Sequence, residues 1–272
     1  MFTVLFVGLL PGLHAQLMGE YLGDETVLYA ETKQVNQFFR RFNGEEGAEG
    51  LRYYPNDTLY RDRRVRDHYL KMLFDDQNSM LTWETKQKFI RYVNPYRHGQ
   101  YLDFHGGEWF AEVQTTFMYQ GKSELVTLFL ELEESKVGSK WVFTNVFFAP
   151  FTKLFATTMP DGKVIPFLHP LSHELDFMNL LKVFRNQDEV SLYAEKAYQP
   201  DYLTLFLYEI KKGNLKFQTV NQVKFHFFQI EGWYFELKDI QRSGPNRGWL
   251  ITQMLEIPEG QKEKVLQFIY HQ

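Results

Sequence analysis

Apolar residues along this chain recur with two spacings, one of two residues and one of three to four, and the spacings occupy separate blocks. EWFAEVQTTFMYQ, residues 108 to 120, places Trp109, Ala111, Val113, Thr115, Phe117 and Tyr119 on one side of a strand. A turn at Gly121-Lys122 follows, ELVTLFLELEE returns as a second strand, and VGS turns the chain into SKWVFTNVFF as a third. Further on, LKFQTVNQVKFHFFQI, a Glu231-Gly232 turn, WYFELKDIQ, an SGPN turn and RGWLITQMLEI repeat that order. The expectation is two antiparallel meanders of three strands each.

Ahead of each meander the spacing lengthens to that of a helix. Val35, Phe38, Phe39 and Phe42 share one face, and Gly44 is placed to end that helix. Phe177, Leu180, Leu181 and Phe184 repeat the same intervals, with Ser172 as N-cap. Two more helices are read around Val65, Tyr69, Met72 and Leu73, and around Leu203, Phe206, Leu207 and Ile210, the latter with Pro200 in its first turn and Gly213 as C-cap. Residues 259–272 read as a closing helix with Val265, Phe268 and Ile269 on its apolar side. Helices followed by a long meander argue an α+β fold of two tandem modules, each with amphipathic helices packed on a curved antiparallel sheet. The modules are expected at 28–150 and 168–258, joined by an ordered hairpin at 151–167 built on the turn Pro160-Asp161-Gly162.

An internal echo supports the doubling. Trp141, Thr144 and Pro150 recur at the same relative places as Trp249, Thr252 and Pro258. This element order, seen twice with that shared triplet, resembles the nuclear-transport-factor-two-like fold, a cone of helices closed by a strongly bent sheet. The resemblance implies a concave pocket in each half. It implies no particular chemistry, because such folds serve enzymes, ligand binders and structural modules alike.

Composition narrows the classes. With 26 Phe and 16 Tyr in 272 residues the chain has ample material for filled cores, so it reads as a folded protein. A formal net charge of -4 gives no general attraction to a phosphate backbone, which argues against a nucleic-acid partner. The densest basic run, YRDRRVRDHY at 60 to 69, spaces Asp57 with Arg61, Asp62 with Arg66, and Arg63 with Asp67 four apart, and reads as a solvated face that neutralises itself. Zero Cys excludes disulfides, thiolate nucleophiles and thiolate zinc sites.

MFTVLFVGLLPGLHAQ, the first sixteen residues, carries no Lys, Arg, Asp or Glu. The run is too short to span a bilayer and fits the apolar core of a signal peptide at 1–16, with Ala15 before a cleavage point; the opening lacks the usual basic residue. The alternative is a buried strand of the mature fold. A periplasmic or secreted product without a transmembrane span is the expectation.

Candidate chemistry is sparse. His169 and His173 stand four apart, a metal-pair spacing, but Pro170 puts His169 outside the helix, and no metal or other cofactor is expected. YLDFHGGEWF brings Asp103, His105 and Glu112 close in sequence, where Asp103 and His105 could work as an acid-base pair or cap the Gly106-Gly107 turn. His226 and Glu236 fall on strands that should pair. Trp109, Tyr119, Trp141, Trp233 and Trp249 could stack on a flat ligand or fill a core. Two function classes follow: a non-catalytic module binding a small molecule, glycan or envelope protein, and a pocket enzyme of hydrolase or isomerase type using a His/carboxylate pair.

Overall fold

The computed structural model describes residues 34–47, 50–135, 138–155, 166–243, 246–258 and 260–271. The proposed signal segment at 1–16 and the Pro160-Asp161-Gly162 turn lie outside them. The protein is α+β. Among the described residues, helices α1 (Val35–Asn43), α2 (Arg63–Met72) and α3 (Trp83–Val93) come first, then strands β1 (Trp109–Tyr119), β2 (Lys122–Ser135) and β3 (Gly138–Phe147). Helix α4 (Ala149–Phe155), a 3-10 turn at Pro170–Leu175, α5 (Leu180–Arg185), a second 3-10 turn at Gln187–Tyr193 and α6 (Tyr202–Lys212) follow. Strands β4 (Leu215–Phe227), β5 (Trp233–Ile240) and β6 (Gly248–Glu256) and helix α7 (Lys262–Ile269) complete the order.

All six strands form a single sheet in the order β3-β2-β1-β4-β5-β6. The two expected meanders are therefore continuous, joined where β1 pairs antiparallel with β4 from Trp109↔Phe227 to Tyr119↔Leu215. Register shifts at Gln114/Thr115 and Thr116/Phe117 mark bulges, which bend and twist a strand locally. The β1–β2 connection is as short as a hairpin allows: Tyr119 pairs with Lys122, and both intervening residues, Gln120 and Gly121, take positive φ. By their contacts the described residues divide into two compact units, those within Met1–Tyr101 and Ile240–Leu250, and those within Leu102–Asp239 and Ile251–Gln272.

In the first unit the basic run does something other than neutralise itself. Arg66 is fully buried; its guanidinium donates to the carbonyls of Phe42 (2.7 Å), Val93 (2.8 Å) and Gln100. Phe42 and Val93 stand in the last turns of α1 and α3, where carbonyls have no partner within their own helix. Three other charges of the run find partners outside the expected pairs: Asp62 caps α2 by accepting from the Arg64 and Val65 amides, Arg61 reaches Glu45 at 2.6 Å, and Asp67 holds Lys71 at 2.6 Å. None of the three expected pairings four apart is the one that forms. A second buried charge, Glu46, accepts from Gln37, Arg40 and Arg41.

Gly44 ends α1 as expected, at φ 72°, and its bare Cα matters twice over. A Cβ there would also lie 3.0 Å from the Arg66 Cβ. Gly213 closes α6 in the same left-handed conformation. The expected helix from Ser172 does not form. Asp176 and Phe177 adopt positive φ and break it into a 3-10 turn capped by His169 and the short α5. Phe177, Leu181 and Phe184 consequently stand 47%, 59% and 65% exposed, and the buried residue of α5 is Val183. Helical spacing is present, but two left-handed residues in succession, Asp176 and Phe177, break the helix at that point.

In the second unit both sheet faces carry apolar clusters. On one face Phe117, Val126, Leu128 and Val146 pack with Phe148 and Phe151 near α4 and with Phe206 of α6. On the other, Phe110, Phe129, Phe228 and Tyr234 meet Val265, Leu266 and Ile269 of α7. Phe268, expected on the apolar side of this last helix, is 81% exposed. No helix among the described residues is long and apolar enough to cross a membrane.

Candidate functional site

Strand alternation builds the site on the face that α7 covers. Phe110 and Glu112 of β1, Lys224 and His226 of β4, and Tyr234, Glu236 and Lys238 of β5 each recur at every second residue. Register then sets them side by side: Phe110 opposite His226, His226 opposite Glu236, Glu112 opposite Lys224, and Lys224 opposite Lys238. Polar groups at inward positions of otherwise apolar strands must find partners. Here they find each other.

His226 is fully buried, with its ring 4.9 Å from that of Phe110. Its Nε2 lies 2.9 Å from Glu112 Oε2 and its Nδ1 lies 2.9 Å from the Tyr234 hydroxyl. An ionised carboxylate can only accept, so Nε2 carries a proton, and in the neutral ring Tyr234 donates to Nδ1. Burial raises the Tyr234 hydroxyl well above the usual phenol range, and repulsion from Glu236 and Glu112 adds to this, so it stays a donor. Lys224 bridges the two carboxylates, 3.2 Å from Glu112 and 3.6 Å from Glu236. Glu236 also takes Lys238 at 2.9 Å and the Thr252 hydroxyl at 3.0 Å.

Burial alone would raise the Glu112 carboxyl, but the His226 hydrogen bond and the Lys224 charge outweigh it and hold the carboxyl below its ordinary 4.5. The folded form therefore binds this proton less readily than the unfolded chain. Stability from Glu112 is present above the ordinary value and is lost as pH falls through the depressed one. Glu112→Gln is expected to flatten the fall in melting temperature between pH 5 and 3, relative to the parent chain. An unchanged acid limb in the variant would show that the carboxylate contributes nothing there.

Above this network lies a cavity of about 410 Å³. Glu112, Lys224, His226, Tyr234 and Glu236 form its polar floor, while Leu255 of β6 and Val265, Phe268 and Ile269 of α7 supply an apolar wall. Gln253, Gln261 and Lys264 stand among its lining residues. A smaller cavity of about 270 Å³ lies near the start of α7, where Lys262 pairs with Glu108 beside Trp233 and Phe228. Both belong to the second unit.

The residues expected from sequence are distributed unevenly around this site. His226 and Glu236 do meet, as cross-strand neighbours, yet each bonds to other groups. Asp103 and His105 lie elsewhere: Asp103 accepts from the His105 backbone amide at 2.9 Å, and the His105 ring contacts the Ser139 hydroxyl at 3.0 Å, so the pair serves the exposed turn before β1. His169 caps its 3-10 turn through Nδ1 and His173 bonds Pro170 O, so they share no helical face. Among the described residues no cluster of three or more His, Asp or Glu is arranged to hold a metal.

The five aromatics do not converge. Trp109 is buried in a stack with Phe227 (5.3 Å) and meets Trp141 edge-on at 5.4 Å. Tyr119 packs on Phe148 and Phe151, Trp233 lines the smaller cavity, and Trp249 is half-buried on β6. Lys224 and Tyr234 were not singled out from sequence, and Thr252 only as a member of the repeated Trp-Thr-Pro triplet. The signal existed in Lys-Phe-His-Phe and Tyr-Phe-Glu-Leu-Lys, where polar residues at every second place interrupt apolar strands. No family model, curated protein or solved structure matches the chain.

Proposed function

We propose that the protein is a non-catalytic binding module and that the cavity beneath α7 is where it takes its ligand. The observation that carries this reading is a cavity of ligand size with one polar and one apolar wall, the usual composition of a small-molecule site. The floor is fixed by cross-strand register and by hydrogen bonds among its own charged groups, so little reorganisation accompanies binding. A secreted or periplasmic setting goes with this reading, on the strength of the uncharged opening sixteen residues. In that setting the partner is a small molecule, a glycan or an envelope component. The nuclear-transport-factor-two-like resemblance, which implies a concave pocket, goes with a cavity framed by helix and sheet.

Thermal melting of the full chain against a panel of soluble glycans, metabolites and envelope extracts tests the binding. A ligand at 100 times its Kd should add about 2.7 kcal/mol of stability. Leu255→Trp, at a half-exposed cavity residue, should abolish the shift while leaving the unliganded melting temperature within a degree or two. Absence of any shift, or a shift that survives Leu255→Trp, would count against the cavity. N-terminal sequencing of an exported product should begin at Gln16.

One observation favours the second class. The Glu112-His226-Tyr234 chain is ordered as a proton relay, with the imidazole held at both nitrogens. A pocket enzyme of hydrolase or isomerase type would lose turnover in His226→Gln and keep it in His105→Ala. The binding module shows no turnover to lose.

A further inference from the structure

We infer that the ligand of the α7 cavity is a neutral, hydroxyl-rich molecule with one apolar face, which in chemical class is an uncharged saccharide. This rests on the reading of that cavity as the binding site. The charge balance of the lining is the first ground. Among the lining residues Glu112 and Glu236 are matched in number by Lys224 and Lys264, so the formal charges cancel with the histidines counted as neutral. Within the floor the charges are already coupled, Lys224 to both carboxylates and Glu236 also to Lys238. An anionic ligand reaching Lys224 would sit against two carboxylates, and a cationic one would compete with an ammonium already in place. Either would bring an unbalanced charge into a partly desolvated network.

Hydrogen-bonding capacity is the second ground. Lys224 has three N–H donors and meets its carboxylates as ion pairs at 3.2 and 3.6 Å, which leaves donor capacity for a ligand, and carboxylate oxygens accept more than one bond each. Gln253 and Gln261 at the same cavity carry amides that both donate and accept. Such a lining suits groups that donate and accept at once, as hydroxyls do. A purely apolar ligand would strip water from the floor without replacing those bonds.

The opposite wall is the third ground. Phe268 lines the cavity yet leaves most of its ring in solvent, and Val265, Ile269 and Leu255 continue the apolar surface. A pyranose presents C–H groups on one face and hydroxyls at its edge, matching an aromatic wall set across from a hydrogen-bonding floor.

A neutral fluorescent naphthylamine, N-phenyl-1-naphthylamine, reports occupancy of the cavity independently of saccharide. The full chain is titrated with the dye, then with neutral trisaccharides of glucose, galactose and N-acetylglucosamine, and with uronic-acid and glucosamine oligomers as anionic and cationic controls. The expected result is displacement by a neutral trisaccharide, weakened about tenfold in Phe268→Ala, whose melting temperature is unchanged, and abolished in Leu255→Trp. Dye binding that Leu255→Trp abolishes, with no neutral trisaccharide displacing it or with a charged oligomer displacing it better, overturns the ligand class and leaves the cavity standing. Saccharide binding untouched by Leu255→Trp overturns it as well, since the sugar would lie elsewhere. If neither dye nor sugar binds, the cavity reading falls with it.

Discussion

Arg66→Ala is expected to destabilise the chain by about 3–5 kcal/mol, enough to shift the denaturant midpoint of the first unit to the edge of the native baseline. The guanidinium is the shared partner of three backbone carbonyls, at Phe42, Val93 and Gln100. Removing it strands the buried Phe42 carbonyl, takes one of two donors from Val93, whose carbonyl also accepts from the Gln100 amide at 2.9 Å, and frees the carbonyl of the half-buried Gln100; an unpaired buried polar group costs about 1–3 kcal/mol. Its plane also lies 4.5 Å from the Tyr101 ring centre and 5.4 Å from that of Phe42, contacts that alanine loses too. Burial lowers the Arg66 side chain to about 10, which still leaves it protonated at neutral pH. Arg66→Lys should recover only part of the loss, since an ammonium on a single stem cannot span carbonyls that a planar fork reaches. Chemical denaturation of the full chain measures this. A cost below about 1 kcal/mol for Arg66→Ala would mean that the carbonyls find other partners, and the account of the helix ends would have to be abandoned.

Phe227→Ala carries the second large effect, again about 3–5 kcal/mol. Phe227 sits between Trp109 at 5.3 Å and Phe235 at 4.8 Å, with interplanar angles of 9° and 4°, so three rings from β1, β4 and β5 form one stack across the middle of the sheet. Deleting the central ring opens a void with rigid aromatic walls, which collapse poorly, and this places the cost towards the upper end of the range. Trp141→Ala is the control. Trp141 also touches Trp109, at 5.4 Å, but it lies on the edge strand β3 and is 41% exposed. Its loss should cost clearly less, on the order of 1–2 kcal/mol. Equal losses from the two variants would show that stacking at the centre adds nothing beyond area.

The strands were legible because each bears a two-residue alternation bounded by turn residues. Tyr119 through Lys122 shows how far that goes: the turn expected at Gly121-Lys122 sits one residue earlier, at Gln120-Gly121, because Tyr119 already pairs with Lys122 and both turn residues take positive φ. Helix ends were legible at Gly44 and Gly213 for the same local reason. What the sequence did not disclose is how the two sets of strands join. Local alternation defines the faces of a strand but not its neighbour, and β1 beside β4 is decided by nonlocal packing. The site inherits that blind spot, since His226 was visible as a polar residue among aromatics while its partner Glu112 stands 114 positions away. Arg66 was misread for a related reason. Spacing on a helix shows which charges could pair along it, and is silent about carbonyls arriving from two other helices. Helix α3 went unread altogether, although Thr82 caps it by accepting from the Thr85 amide and Phe89, Ile90 and Val93 form its buried side.

The pairing of β1 with β4 also sets the order of events in maturation. Thr116 and Asn221, which exchange side-chain hydrogen bonds across that pairing, are 105 positions apart. Each three-strand meander can zip locally, but the seam that unites them waits for a long loop to close, so the chain belongs with the slow, high-contact-order folders. Until it closes, the inner edges of β1 and β4 are both unsatisfied, and two copies refolding at high concentration could join by exchanging halves along the same register.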